Sequence, residues 1–289
     1  MKIALIGANG QLGSEMAAAL TAHELHGFTR KTLDVTDSAA VRAALETLRP
    51  THVINTTAFH RTDECEDRME EAFRVNAFAV RHLAQVCRDV NAALVHFSTD
   101  YVFDGEKGSP YDEDDCPRPV NVYGASKLAG EHLVRLTWPK HFLVRTSGMF
   151  GLRGSIEKGG NFIDRIVARA KADEKIQVVT DVVFSPTYAK DLAEKVAALI
   201  ATQRYGTYHI VNSGYVTWHQ FATVALKGLG ILAVVEPMLQ AESKAKARRP
   251  RYSALATAKL TQEGFGAMRP WEEALTAYLA ERRKGAGRG

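Results

Sequence analysis

Seven residues near the N-terminus, Gly7-Ala8-Asn9-Gly10-Gln11-Leu12-Gly13, restrict the fold of this chain more than any other stretch. They follow Lys2-Ile3-Ala4-Leu5-Ile6, an apolar run of strand length, and lead into Ser14 to Leu20, which has helical composition. A glycine turn set between strand and helix is the context in which such a motif signals a dinucleotide rather than a chance cluster. Gly7 permits the tight turn, Gly10 lets backbone amides approach a diphosphate, and Gly13 lets the helix pack closely on the strand. The helix N-terminus then turns its partial positive charge toward the phosphates. The spacing is G-x-x-G-x-x-G, wider at its first interval than the commonest fingerprint, G-x-G-x-x-G.

The rest of the chain repeats the same unit. His23 to Phe28 is a weak second strand, Val41 to Leu48 a helix broken by Pro50, and His52 to Thr56 the next strand. A long helix from about Asp67 to Asp89 leads to the strand Ala93 to Phe97, and Phe142 to Thr146 follows a further helix. Strands alternating with amphipathic helices predict an α/β fold with a parallel sheet covered on both faces, doubly wound by right-handed crossovers. After Thr146 the regularity weakens. Gly148 to Gly160 reads as a long loop. Asn161 to Ala172, Asp191 to Ala201, Trp218 to Leu229 and Trp271 to Glu281 read as helices, and Thr207 to Val211 as the last strand. The division expected is residues 1–148, completed by roughly 178–212, as a dinucleotide-binding domain. Residues 149–177 and 213–289 form a smaller substrate-binding portion over the strand ends.

Ser98-Thr99-Asp100-Tyr101-Val102-Phe103-Asp104-Gly105 opens where the Ala93–Phe97 strand ends, and Asn121-Val122-Tyr123-Gly124-Ala125-Ser126-Lys127 follows. Tyr123 and Lys127 stand four apart, on one face of a helix. A bare Y-x-x-x-K more often marks an amphipathic surface, but here it accompanies a dinucleotide turn. A phenol beside an ammonium suits proton exchange at an oxygen while hydride moves at its carbon. The free phenol pKa is near 10 and a neighbouring cation lowers it. Thr99 is placed to hydrogen-bond the same oxygen.

At the adenosine end, Thr29-Arg30-Lys31 stands where NAD-preferring sites carry an acid. Two cations suit a 2′-phosphate, so NADP(H) is favoured. Asp34 can still reach the adenosine, which leaves NAD(H) open. Thr57 and Ala58 are small enough to line a cofactor groove, and Asn76 is placed to tie strand ends together.

Composition excludes other classes. A net charge of +4, from 37 basic and 33 acidic residues, is too mild for a nucleic-acid binder. Cys65, Cys87 and Cys116 are too few for a disulfide framework or zinc site, which points to a reducing compartment and the cytoplasm. No apolar run approaches the ~18 residues that span a bilayer, so no membrane is expected. His60, His96 and His132 are scattered singly. Asp63-Glu64 and Asp112-Glu113-Asp114-Asp115 read as exposed loops matching no calcium loop, and Mg2+ is left open.

Together the glycine turn, Asn55-Thr56-Thr57-Ala58-Phe59, Ser98 to Gly105 and Asn121 to Glu131 resemble the extended short-chain dehydrogenase/reductases, most nearly the dTDP-4-dehydrorhamnose reductase family. Arg145-Thr146-Ser147, Gly160-Asn161-Phe162, Pro186-Thr187 and Arg249-Pro250 continue the likeness almost to the C-terminus. The resemblance implies reduction of a 4-keto group on a nucleotide-linked 6-deoxyhexose. Tyr123 would be the proton donor, Lys127 would hold the nicotinamide ribose and lower the Tyr pKa, and Thr99 would assist. Gly7, Asn9, Gly10, Gln11 and Leu12 would hold the diphosphate, Arg30, Lys31 and Asp34 the adenosine end, and Thr57, Ala58 and Asn76 the groove. Thr62, Asp100, Asn121, Asn161 and Arg249 would face the substrate, with Arg249 in the basic segment Lys244–Arg251 as clamp for its diphosphate. A homodimer is a family-based expectation.

Departures concentrate on the substrate side. Gly148 stands where the family usually has Trp, so the large ring that should pack on the sugar is absent there. Asp181-Val182-Val183-Phe184-Ser185 replaces a pattern normally carrying Gln and Gly, and Thr62 replaces a Val. Two other readings therefore stay open. One is a reductase or epimerase of a different nucleotide sugar. The other is a non-catalytic NADP-binding subunit of the kind that regulates methionine adenosyltransferase.

Overall fold

The computed structural model describes residues 1–153 and 160–286. The chain opens with β1 (Lys2–Ile6), α1 (Gln11–Ala19), β2 (Glu24–Phe28), α2 (Ser38–Leu48) and β3 (His52–Asn55). Next come α3 (Thr62–Asp67), α4 (Met69–Phe73), a π turn (Arg74–Phe78), α5 (Ala79–Asp89), β4 (Ala93–Thr99), α6 (Val122–Thr137) and β5 (His141–Thr146). The second half holds β6 (Met149–Phe150), α7 (Phe162–Lys171), β7 (Ile176–Val179), β8 (Val183–Phe184), β9 (Thr187–Tyr188), α8 (Ala189–Ile200) and β10 (Gly206–His209). It closes with β11 (Val216–Thr217), α9 (Trp218–Gly228), β12 (Val235–Met238), α10 (Ala258–Gln262) and α11 (Trp271–Ala286).

Six strands form one parallel sheet in the order β10-β5-β4-β3-β1-β2. Successive strand residues face opposite sides, and β1 shows the result. Ile3 and Leu5 enter a core with Leu12 and Met16 of α1 and Val196 and Leu199 of α8. Ala4 and Ile6 enter the other, with Val41 and Leu45 of α2 and Val80 and Leu83 of α5. Both faces are covered, which is why the strands read as continuous apolar runs. The order reverses at β1, so the crevice opens at the C-terminal ends of β1 and β3.

Two expectations are corrected. The helix expected from about Asp67 to Asp89 begins at Met69, after a break at Arg68, and carries a π turn at Arg74–Phe78. That extra residue in the turn leaves Asn76 fully buried and bonded across to Phe59, a local irregularity of the kind found near functional sites. The return to the large sheet begins at α8 rather than near residue 178. Ile176, Val178 and Phe184 instead join a separate core with Ile163 of α7, Phe221 of α9 and Leu275 and Tyr278 of α11. β7 pairs with β12 and β8 with β11, outside the six-stranded sheet. The long loop after Thr146 contains β6, paired with β9; residues 154–159 of it lie outside the described residues. Among the described residues no helix is long and apolar enough to cross a membrane.

Candidate active site

A cavity of about 610 Å³ runs along the C-terminal strand ends. Gly7, Asn9, Gly10, Gln11 and Leu12 line one part of it. Gly7 has φ +86°, and a Cβ at Gly13 would stand 2.1 Å from the Gly7 carbonyl oxygen, so neither position accepts a side chain without moving backbone. The amides of Gly7 and Ala8 donate to Phe28 O at 2.8 and 2.9 Å, pinning the turn to the end of β2. α1 begins with no side-chain cap, and the buried Gln11 Nε2 has no partner among the described residues. This end of the cavity therefore offers free donors, a dipole and close backbone approach, the features that fit a diphosphate.

Arg30 and Asp34 line the cavity near the end of β2 and form an ion pair at 3.6 Å. Lys31 does not line the cavity. The turn in which the Leu33 amide donates to Thr29 O at 2.8 Å leaves Lys31 exposed on the outside. Thr57 and Ala58 line the groove. Asn76 does not; its amide is spent on Phe59 N and O and on Ser126 Oγ, each at 2.9 Å. It shapes the groove from behind.

Thr99, Tyr123 and Lys127 come together on the cavity wall. Thr99 Oγ1 accepts from the Tyr101 amide at 3.2 Å and donates to Asp100 Oδ1 at 3.1 Å. Asn121 Oδ1 accepts from Gly124 N at 2.7 Å and so caps α6, fixing the first turn that carries Tyr123. Lys127 is 2% exposed. Burial lowers its pKa to about 7, against a smaller opposing pull from Glu131.

The expected lowering of the Tyr123 pKa by Lys127 is not found here. Burial raises the phenol, more strongly than the Thr99 hydroxyl lowers it. With its pKa at about 7, Lys127 carries only part of its charge near neutrality, and burial of the phenol dominates. The lysine nitrogen instead lies 3.1 Å from His96 Nε2.

Of the expected substrate-side residues, Thr62, Asp100 and Asn161 line the cavity. Asp100 accepts from Ser147 Oγ at 2.8 Å, Ser253 Oγ at 2.6 Å and Thr99 Oγ1 at 3.1 Å. Burial raises its pKa to about 6 despite these bonds. Asn161 caps α7 and holds Gly151 O at 2.8 Å. Asn121 and Arg249 do not line the cavity. Asn121 Nδ2 is bonded to Arg248 O at 2.8 Å, and Arg249 forms a fork on Asp63, at 3.1 and 3.0 Å. Asp63 and Glu64 accordingly lie in the first turn of α3, not in a loop.

The sequence alone does not single out several contributors. His96 reads as one of three scattered histidines, although its register partner Asn55 ends the adjacent strand. Ser147 carries no signal beyond its place in Arg145-Thr146-Ser147, and Ser253 carries none. The ring missing at position 148 has a counterpart: Phe162, Phe184 and Trp218 line that wall from α7, β8 and α9. Among the described residues no cluster of His, Cys, Asp or Glu is arranged to hold a metal ion.

A six-stranded parallel Rossmann sheet with a Tyr/Lys pair at its crevice defines the extended short-chain dehydrogenase/reductase class. Comparison with known proteins narrows this. The sequence model of the RmlD substrate binding domain family matches residues 1–284. The spore coat polysaccharide biosynthesis protein SpsK of Bacillus subtilis is 36% identical, covering 97% of this chain and 98% of its own. A dTDP-4-dehydrorhamnose reductase of Streptomyces griseus is 38% identical over 93% of this chain and 90% of its own. The crystal structure of dTDP-4-dehydrorhamnose reductase from Bacillus anthracis, in complex with NADP, superposes with a TM-score of 0.93 at 37% identity, covering 97% and 100% of the two chains. The chain belongs to the RmlD substrate binding domain family.

Proposed function

We propose that this protein is an NADPH-dependent reductase of the 4-keto group of a nucleotide-linked 6-deoxyhexose, converting dTDP-4-dehydrorhamnose to dTDP-L-rhamnose. One observation carries the reading: the diphosphate turn at Gly7–Gly13 and the Thr99, Tyr123 and Lys127 side chains share one cavity. The relatives' names supply the substrate class.

The residues present fit the cofactor. Gly7, Asn9, Gly10, Gln11 and Leu12 hold its diphosphate, Arg30 and Asp34 its adenosine end, and Thr57 and Ala58 its middle. Lys127 meets the nicotinamide ribose. When bound, the nicotinamide supplies hydride to the carbonyl carbon. Tyr123 gives its phenolic proton to the carbonyl oxygen, and the Thr99 hydroxyl positions that oxygen. The high phenol pKa keeps Tyr123 protonated at neutral pH, as a donor must be. Thr62, Asp100 and Asn161 border the sugar. Asn121 and Arg249 act behind the cavity, as cap and as rim tie. The units that divide this work are residues 1–148 with the return through β10, and the second core. A cytoplasmic setting and a homodimer complete the reading, on cysteine usage and family likeness.

The test is NADPH oxidation followed by absorbance, with dTDP-4-keto-6-deoxy-L-mannose generated in situ. Rapid oxidation is expected. Silence in a preparation that binds NADPH would reject this substrate. The second reading, a different nucleotide-linked 4-keto sugar, then takes over; the Phe184 and Trp218 wall in place of a residue-148 ring favours it.

A further inference from the structure

Tyr123 is the second residue of α6, so its place is set by whatever holds the first turn of that helix. Contacts from distant parts of the chain do so. Gly124 seats on the Tyr101 carbonyl so closely that a Cβ there would stand 2.1 Å from the oxygen. The Val122 amide, an orphan donor by its place in the helix, donates to Glu66 Oε1 at 3.0 Å. Asn121 does two things. Its Oδ1 caps Gly124 N, and its Nδ2 donates to the Arg248 carbonyl at 2.8 Å. Asn121 is buried, so loss of that carbonyl would leave its amide donor unpaired.

Arg248 O can serve only while residues 246–249 keep their path, and α3 sets that path. Asp63 accepts from the Ala247 amide at 3.0 Å and from the two terminal nitrogens of Arg249 at 3.1 and 3.0 Å. Arg249 Nη1 also donates to Ala247 O at 2.8 Å, which folds the segment around the carboxylate. Asp67 takes Lys246 at 2.6 Å. Asp63, Glu66 and Asp67 share one face of α3 by their spacing. The helix that grips the segment therefore also grips Val122.

We propose that Arg249 and Asn121 act as one positioning device for Tyr123. The Asp63–Arg249 fork holds the Arg248 carbonyl where Asn121 needs it, and Asn121 carries that constraint to the turn bearing the phenol. The inference rests on the function proposed above, and it gives the expected diphosphate clamp a different task. A guanidinium gripping the substrate's diphosphate would govern how tightly the substrate binds. One that works through Asn121 leaves binding alone and governs how well the phenol meets the carbonyl oxygen. An acid slightly out of line transfers its proton more slowly although the substrate still fits.

Asn121→Asp is the discriminating variant: it keeps an acceptor for Gly124 N and sets an oxygen, not a donor, against Arg248 O. With saturating NADPH and dTDP-4-dehydrorhamnose, the full chain carrying it should lose about tenfold in kcat, with the sugar KM within about twofold. Arg249→Ala should give the same split, and Arg249→Lys should recover part of the rate. The solvent deuterium isotope effect on kcat should rise in Asn121→Asp and Arg249→Ala, because proton transfer becomes the slower step. NADPH affinity within about twofold of the parent's is the evidence of folding. If Arg249→Ala fails to bind NADPH, Arg249→Gln is read in its place. Combining Asn121→Asp with Arg249→Ala should cost little beyond either alone, since both break one path. Multiplying losses overturn the inference. So does a tenfold rise in KM with kcat kept in Arg249→Ala, which would return Arg249 to the diphosphate. Amide exchange of the NADPH-bound chain, without sugar, tests the device apart from the reaction. Gly124 N should exchange about tenfold faster in Arg249→Ala, while Leu128 to Val134 stay unchanged. Parent-like exchange at Gly124 overturns the device. A parent that oxidises no NADPH, with Gly124 responding as expected, overturns the proposed reaction and leaves the device standing.

Discussion

His96 Nε2 lies 3.1 Å from Lys127 Nζ, and the hydrogen-bond network assigns the proton between them to the imidazole. Thr57 N and Oγ1 both donate to Asn55 Oδ1, at 3.1 and 2.6 Å, which fixes the amide orientation. Asn55 Nδ2 must then donate to His96 Nδ1, 3.2 Å away. A neutral imidazole that accepts at Nδ1 carries its proton on Nε2, so Lys127 accepts it as a free amine. Burial drives both groups the same way: His96 is held well below its ordinary pKa and Lys127 at about 7.

NADPH binding is therefore expected to take up a proton at Lys127 above neutrality. Ribose hydroxyls and a dinucleotide diphosphate favour the ammonium, so the complex has the higher lysine pKa. Calorimetry in two buffers of different ionisation enthalpy should show uptake near zero at pH 6, rising toward one proton at pH 8.5. Asn55→Asp would accept from Nδ1–H, turn the tautomer over and make Nε2 an acceptor for the ammonium. Uptake at pH 8.5 should then largely vanish; uptake equal to the parent's would refute the tautomer assignment.

Removal of the phenol hydroxyl in Tyr123→Phe should lower kcat by about 10²–10⁴-fold, the usual range for loss of a positioned acid. The ring's edge-on contact with Tyr101, with centroids 6.0 Å apart, survives the change. NADPH affinity should stay within twofold. Full turnover by this variant would end the case for Tyr123 as proton donor.

Arg30 lines the cavity and Lys31 does not, which divides a pair that looks equivalent in sequence. Arg30→Ala should weaken NADPH about tenfold or more, about 1.4 kcal/mol, with little change for NADH. Lys31→Ala should cost under threefold for either. Competitive binding of the two cofactors to both variants checks this, and equal losses from the two substitutions would contradict it.

Burial of Asp100 has a stability consequence. Its pKa is raised to about 6, so the folded chain keeps a proton that the unfolded chain has already released. Stability from this group is complete below the unfolded value, near 4, and lost as pH rises through 6. Asp100→Asn keeps the hydrogen-bonding shape without the charge. It should stabilise the chain by roughly 2 kcal/mol at pH 8, a gain that shrinks to nothing toward pH 4. Urea midpoints at the two pH values give the answer, and a gain independent of pH would mean the carboxylate is not the cause.

Much of this was legible in the sequence because it depends on local order. Strand, glycine turn and helix follow one another within the first twenty residues, and Tyr123 and Lys127 share a helix face by spacing alone. What was not legible depends on contacts across long stretches of chain. Asp63 and Arg249 are 186 positions apart, and their ion pair drew Arg249 away from the cavity. Whether Lys31 points inward turns on one hydrogen-bonded turn at Thr29. The charge on Lys127 turns on burial and on a histidine from another strand. Phe184 and Trp218 meet only because β8 pairs with β11.

The sheet also has a history as it is made. β5 emerges with one edge unpaired, and its neighbour β10 begins about 60 residues later, after the chain has left to start the second core. On a ribosome adding about 5–20 residues each second, that edge waits several seconds for its partner. An open strand edge is a template for pairing with a neighbouring chain. The interval between Thr146 and Gly206 is thus a stage of synthesis at which the inner edge of the sheet is open to a neighbouring chain.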